Sequence, residues 1–128
     1  MENRIEEGLE VLKEYLDKKQ YVKMREWMSE LNDADIAIMI EELEEEEMLK
    51  VFRILPKDMA ADIFSYLPIE VEQYIITSLS EREAAKIIDN LMADDAADFL
   101  EEMPANVVKK LLINASPETR RDINHLLR

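Results

Sequence analysis

The chain has 128 residues, enough for one continuous core, and carries 30 acids against 16 Lys and Arg, a formal charge of −14. It has no cysteine, which excludes disulfides and thiolate metal sites. The longest wholly apolar run is the five residues Ile36 to Ile40, far short of the roughly 20 that cross a bilayer, and nothing reads as a signal peptide.

Residues 1–23 open the chain with Ile5, Leu9, Leu12 and Leu16, the spacing of an amphipathic helix that caps the near end of the fold. Lys18 to Lys23 is a polar junction. From Met24 a twelve-residue period sets in and runs to the end, so residues 24–128 read as repeats of a single domain. The fourth place of each block reads Trp27, Met39, Val51, Ile63, Ile75, Ile87, Phe99, Leu111, Ile123. The fifth place runs from Met28 and Ile40 to Leu112 and Asn124, and the eighth from Leu31 and Leu43 to Ala115 and Leu127. Of these 27 positions only Asn124 is polar, in a chain that is 48% hydrophobic.

With the mostly apolar first place, this spacing is i, i+3, i+4, i+7, the stripe of an amphipathic helix. A continuous helix turns about 100° per residue, so its stripe would rotate by about 120° per block and face water in the next. The chain therefore breaks once per block, near places eight to eleven. Pro56, Pro68 and Pro104 stand at place nine and Pro117 at place ten, where proline suits the start of a helix and not its interior. Ser80 with Glu83 has the form of a capping box, Ser116 before Pro117 that of an N-cap, and Asn32 before Asp35 is similar. The boundary at Leu91-Met92-Ala93 has neither Ser nor Pro. Helices this short are marginal alone and bury their stripe by stacking, so the expectation is an all-α solenoid of the armadillo kind.

Charge is unevenly placed. Residues 24–47 hold 10 acids against Arg25 alone, and residues 84–107 hold 6 against Lys86 alone, whereas residues 108–128 hold 5 bases and 2 acids. Nucleic acid needs a basic footprint and is not expected as a partner. The run Glu41 to Glu47 reads as a solvated helix end and start, with Glu44 to Glu47 favoured by the dipole of the next helix. Asp94, Asp95 and Asp98 crowd one helix start, and Asp94 and Asp98 are i, i+4 on a shared face. Like charges there are mildly destabilising, and a hard divalent cation, Mg²⁺ or Ca²⁺, would relieve them. Glu101 and Glu102 extend the acidic surface. EF-hand spacing is absent. His125 is the only histidine and stands without a catalytic constellation, and there is no Gly-rich phosphate loop, so no enzyme is expected.

Four stretches carry a family resemblance: Asp33-Ala34-Asp35-Ile36-Ala37 leading to Ile40-Glu41-Glu42-Leu43; Val51 to Pro56; Met92 to Pro104; and Ser116 to Arg120. Together, over about residues 10–128, they resemble the N-terminal cytosolic domain of MgtE-type bacterial magnesium transporters. The resemblance implies a right-handed superhelix of short helices, followed in the whole protein by CBS domains, a connecting helix and a transmembrane domain that this chain does not contain. It implies a homodimer at the cytosolic face of the membrane. Mg²⁺ bound between the acidic N domain, the CBS domains and the connecting helix would hold the closed state. By the same resemblance Asp94, Asp95 and Asp98 would supply Mg²⁺ ligands, with Asp62 a second contributor, and Mg²⁺ would bind the isolated domain weakly. Asp62 and Asp98 both hold the third place of their blocks, three blocks apart. They share a face if three helices make one repeat, and lie in opposite layers if two do. The competing expectation is a metal-independent interaction scaffold like those of flagellar motor switch proteins.

Overall fold

The computed structural model describes residues 2–126, with side chains from residue 4 onward. Ten helices follow one another, and no strand occurs among the described residues. They are α1 Glu2–Asp17, α2 Tyr21–Ser29, α3 Asp33–Glu41, α4 Glu45–Ile54 and α5 Lys57–Phe64, then α6 Ile69–Ser78, α7 Glu81–Asn90, α8 Ala93–Glu101, α9 Ala105–Asn114 and α10 Pro117–Leu126.

From Tyr21 to Pro117 every helix begins twelve residues after the one before. All nine start at place ten of the period, so the repeat reaches back to Tyr21 and the division drawn at residue 23 falls inside α2. The breaks lie at places six to nine, slightly ahead of the expected eight to eleven. Place nine is the N-cap throughout α2 to α9, and Pro56, Pro68 and Pro104 fill it in extended backbone (φ between −60 and −56°). Ser80 caps α7 reciprocally with Glu83: its Oγ accepts from the Glu83 N–H at 3.1 Å, and Glu83 Oε1 accepts from the Ser80 N–H at 3.0 Å. Asn32 Oδ1 accepts from the Ala34 N–H at 2.8 Å, and Ser116 Oγ accepts from the Thr119 N–H at 3.1 Å.

The apolar place eight is not helical, as an i+7 position would be. It lies in the bend after each helix, yet Leu43, Leu55, Leu67, Leu79, Met103 and Ala115 are buried. The turn residue thus seals the joint between consecutive helices, which is why a proline can follow it without loss of packing. Places four and five are buried almost throughout; Trp27 and Leu112 are half-buried, and Asn124, where the pattern ends, is exposed. Leu127 lies outside the described residues. Each large side chain removed from water here stabilises the fold by about 1.5–3 kcal/mol.

Packing runs between alternate helices. α1, α3, α5, α7 and α9 stack into one layer, while α4 packs on α6 and α8 on α10 in the other. Two helices therefore make one repeat. Phe64, fully buried, ties the layers together, with its ring edge-on to Phe99 at 5.3 Å and to Phe52 at 6.5 Å. At the first end α1 lies so close to α3 that a Cβ on Gly8, the only glycine, would meet Met39 Cε. No polar or charged residue is fully buried among the described residues.

Candidate metal-binding face

α8 begins at Ala93, with Met92 as an N-cap that has no side-chain acceptor to offer. One of the helix's first unpaired N–H groups is instead met from within: Asp94 Oδ1 accepts from the Asp95 N–H at 3.0 Å. Asp94, Asp95 and Asp98 are all exposed. They do not act as one patch. Asp95 and Asp98 line a cleft of about 200 Å³ between α6 and α8, together with Glu72, Ser65 and Phe99. Asp95 also lines a second cleft of about 490 Å³, shared with Asp62 of α5 and Asp33 of α3. Asp94 lines neither.

The two-helix repeat places Asp62 and Asp98 in opposite layers. Asp62 instead meets Asp95 across the second cleft, through the turn between α7 and α8, where Asn90, Leu91 and Met92 complete the wall. Asp95 is the one acid common to both clefts, which also share Ser65 and Leu91. No Lys or Arg lines either one.

The electrostatics follow from that crowding. Burial first, and the Asp95 carboxylate second, push the Glu72 carboxyl up to about 7. Burial, with Asp62 beside it, raises Asp33 from its ordinary value. Neither Glu72 nor Asp33 was singled out from the sequence as a ligand candidate. A signal for Glu72 was there: it is the one acid at the first place of a block, a place filled elsewhere by Met, Ile, Ala, Val and one Arg. Asp33 gave none, because an acid in a helix's first turn is ordinary.

Five carboxylates around two joined clefts, with no cation among them, are suited to a hard cation by donor type and charge. Among the described residues, however, no three acids come close enough to hold a metal ion by themselves. By donor type the residues fit Mg²⁺, which would need the remainder of its ligands from water or from another surface.

The sequence model of the MgtE intracellular N domain matches residues 31–128. The chain belongs to the MgtE intracellular N domain family. No curated protein matches it. Among solved structures, one described as the soluble part of a magnesium transporter is similar to this MgtE N domain with a TM-score of 0.88 at 24% identity. That similarity covers 97% of this chain, so it includes α1 and α2, which precede the family match, and it spans 49% of the other chain. At that identity the likeness establishes the fold of this MgtE N domain, including its first two helices.

Proposed function

We propose that this domain is the Mg²⁺-responsive cytosolic regulatory part of a magnesium transporter, working as an electrostatic switch against domains that follow it. What supports the reading is the joined pair of acidic clefts centred on Asp95, exposed on a chain that belongs to the MgtE intracellular N domain family. Carboxylates facing a second acidic surface repel it when Mg²⁺ is scarce. A bound Mg²⁺, which keeps several waters and takes one or two carboxylates from each side, replaces repulsion with attraction. Asp95 and Asp98 would reach toward the metal from α8 and Asp62 from α5, with Asp94 holding the start of α8 in shape. Asp33 would add negative potential behind them, and Glu72 would do so as it loses its proton at about pH 7. The opposing surface belongs to CBS domains and a connecting helix, in a homodimer whose membrane-spanning part lies outside this chain. The isolated domain binds Mg²⁺ weakly because it has only its own share of ligands. No step of this mechanism is catalytic.

The test joins this domain to the domains that follow it in the gene and titrates Mg²⁺ while small-angle scattering or limited proteolysis reports compaction. Asp95→Asn with Asp98→Asn, and separately Asp62→Asn, should shift compaction to higher Mg²⁺. Compaction at the parent's Mg²⁺ concentration in both variants would sink the reading and favour a metal-independent scaffold.

A further inference from the structure

A second cavity has the opposite chemistry. It measures about 470 Å³, is bounded by α2, α4, α5 and α7, and shares no lining residue with the acidic clefts. Arg25, Arg53, Lys57 and Lys86 all line it. Between residues 24 and 107 the chain has six Lys and Arg against 22 acids. Four of those six bases converge here, with Glu83 as the only acid. Arg25 and Lys86 are the lone bases of the two most acidic segments, and the fold carries both to the same cavity. Arg53 donates from Nε to Glu83 Oε2 at 3.1 Å, which fixes its guanidinium and leaves the two terminal nitrogens for another acceptor. Arg25, Lys57 and Lys86 enter no ion pair among the described residues. The rest of the wall is apolar, with Phe52, Leu55 and Leu79 buried behind it. Phe52 to Pro56 forms much of it.

We propose that this cavity binds a small organic di- or polyphosphate, whose phosphates meet the four cations and whose apolar body rests against Ile54 and Pro56. Four like charges gathered in a concavity, three of them unpaired, repel one another, and a bound polyanion relieves that. Arginine's planar fork and lysine's point charge are the usual phosphate partners. The volume lies within the range of small-molecule sites, and a mostly apolar wall with a few convergent charges is their usual make-up. A small ligand fits better than an acidic protein segment. The chain's net charge of −14 opposes a large anionic surface at range, whereas a compact polyphosphate meets only the local potential.

The experiment is calorimetric or NMR titration of the chain with uridine and adenosine diphosphates, in Mg²⁺-free buffer so that no metal bridges the nucleotide to the acidic clefts. Inorganic pyrophosphate and a Glu-rich peptide serve as separate probes. Saturable diphosphate binding is expected, tighter than pyrophosphate. Arg25→Gln with Lys86→Gln should weaken it at least about tenfold, as loss of charge-assisted hydrogen bonds does. Lys109→Gln with Lys110→Gln on α9 should leave it unchanged, and Arg25→Lys with Lys86→Arg should restore it. The proposal fails if no diphosphate binding saturates, or if both glutamine pairs weaken it equally. It fails also if pyrophosphate matches the nucleotides, or if the acidic peptide binds in their place.

Discussion

α7 and α8 are consecutive, keep the same register and bury the same places of the repeat, yet their outer faces differ. α7 buries Ala84, Ala85, Ile87 and Ile88; α8 buries Ala96, Ala97, Phe99 and Leu100. The exposed side of α7 is engaged within the chain. Glu83 takes Arg53, Glu81 accepts from Asn114 at 3.3 Å, and Asp89 accepts from the Ser116 N–H at 2.9 Å. Its start is closed by the Ser80–Glu83 box. The exposed side of α8 offers Asp94, Asp95, Asp98 and Glu101, with no ion pair among the described residues and no side-chain cap at Met92. An apolar stripe fixes where a helix packs and leaves its outer face free. On α7 the acids of that face are engaged by neighbouring elements, whereas on α8 the acids remain available to something outside the chain.

The comparison is broken first if the two stripes are not equally core. Ile88→Ala should cost about 2–4 kcal/mol and Phe99→Ala about 3–5 kcal/mol in chemical denaturation, the range for large-to-small changes in a packed interior. Near-neutral behaviour of either would mean that its helix is not held by its stripe.

The next effect concerns Glu72, which faces α8 from α6. Its folded pKa is raised to about 7, above the ordinary carboxyl value of 4.5. The folded state thus keeps a proton that the unfolded chain releases. Below about pH 4.5 both states are protonated and nothing is lost. As pH rises to about 7 stability falls, and above 7 the penalty is complete. Because Glu72 is only half-buried, solvent screening reduces that penalty to about 1–2 kcal/mol. Glu72→Gln should therefore melt higher than the parent at pH 8 and the same at pH 4. A parallel pair of pH–stability curves would remove Glu72 from the cleft's electrostatics.

A smaller contrast is set by the caps. Ser80→Ala should cost about 1 kcal/mol by leaving the Glu83 N–H without its acceptor. Met92, exposed and in the same extended conformation as Ser80, should accept Met92→Ser with a gain of about 0.5 kcal/mol in urea denaturation.

The smallest effects belong to the free acids. Asp98→Asn, and Glu45→Ala on the exposed start of α4, should each change thermal stability by no more than about 0.5 kcal/mol. A larger loss at Asp98 would show that the outer face of α8 is engaged within the chain after all.

Much of this architecture is legible before folding. The break in every block and the caps at Asn32, Ser80 and Ser116 reflect interactions within a single helix or turn, and places four and five show their helical spacing along the chain although other helices bury them. Residues a few positions apart decide the breaks, the caps and the spacing, so a linear reading sees them. The eighth place misled in one respect. Leu55 and Leu79 look like the last rung of a helical stripe but sit in the turn, because a buried apolar residue has the same identity in either setting. The candidate site was legible only in part. Asp95 and Asp98 follow from the spacing at one helix start, whereas Glu72 and Asp33 gain their meaning from neighbours more than twenty residues away.

The sequence by itself determined a chain of short helices in strict register, their starts and an acidic helix face on α8. The angle between successive helices is set by side chains meeting across the turns, and only the tertiary structure decided it. That angle made the repeat two helices rather than three. It joined Asp62 to Asp95 and Asp33, set Glu72 against Asp95, and gathered Arg25, Arg53, Lys57 and Lys86 around one cavity. Helical periodicity is a local property of the backbone, whereas the meeting of distant charges is a property of packing, and the two are encoded at different ranges along the chain.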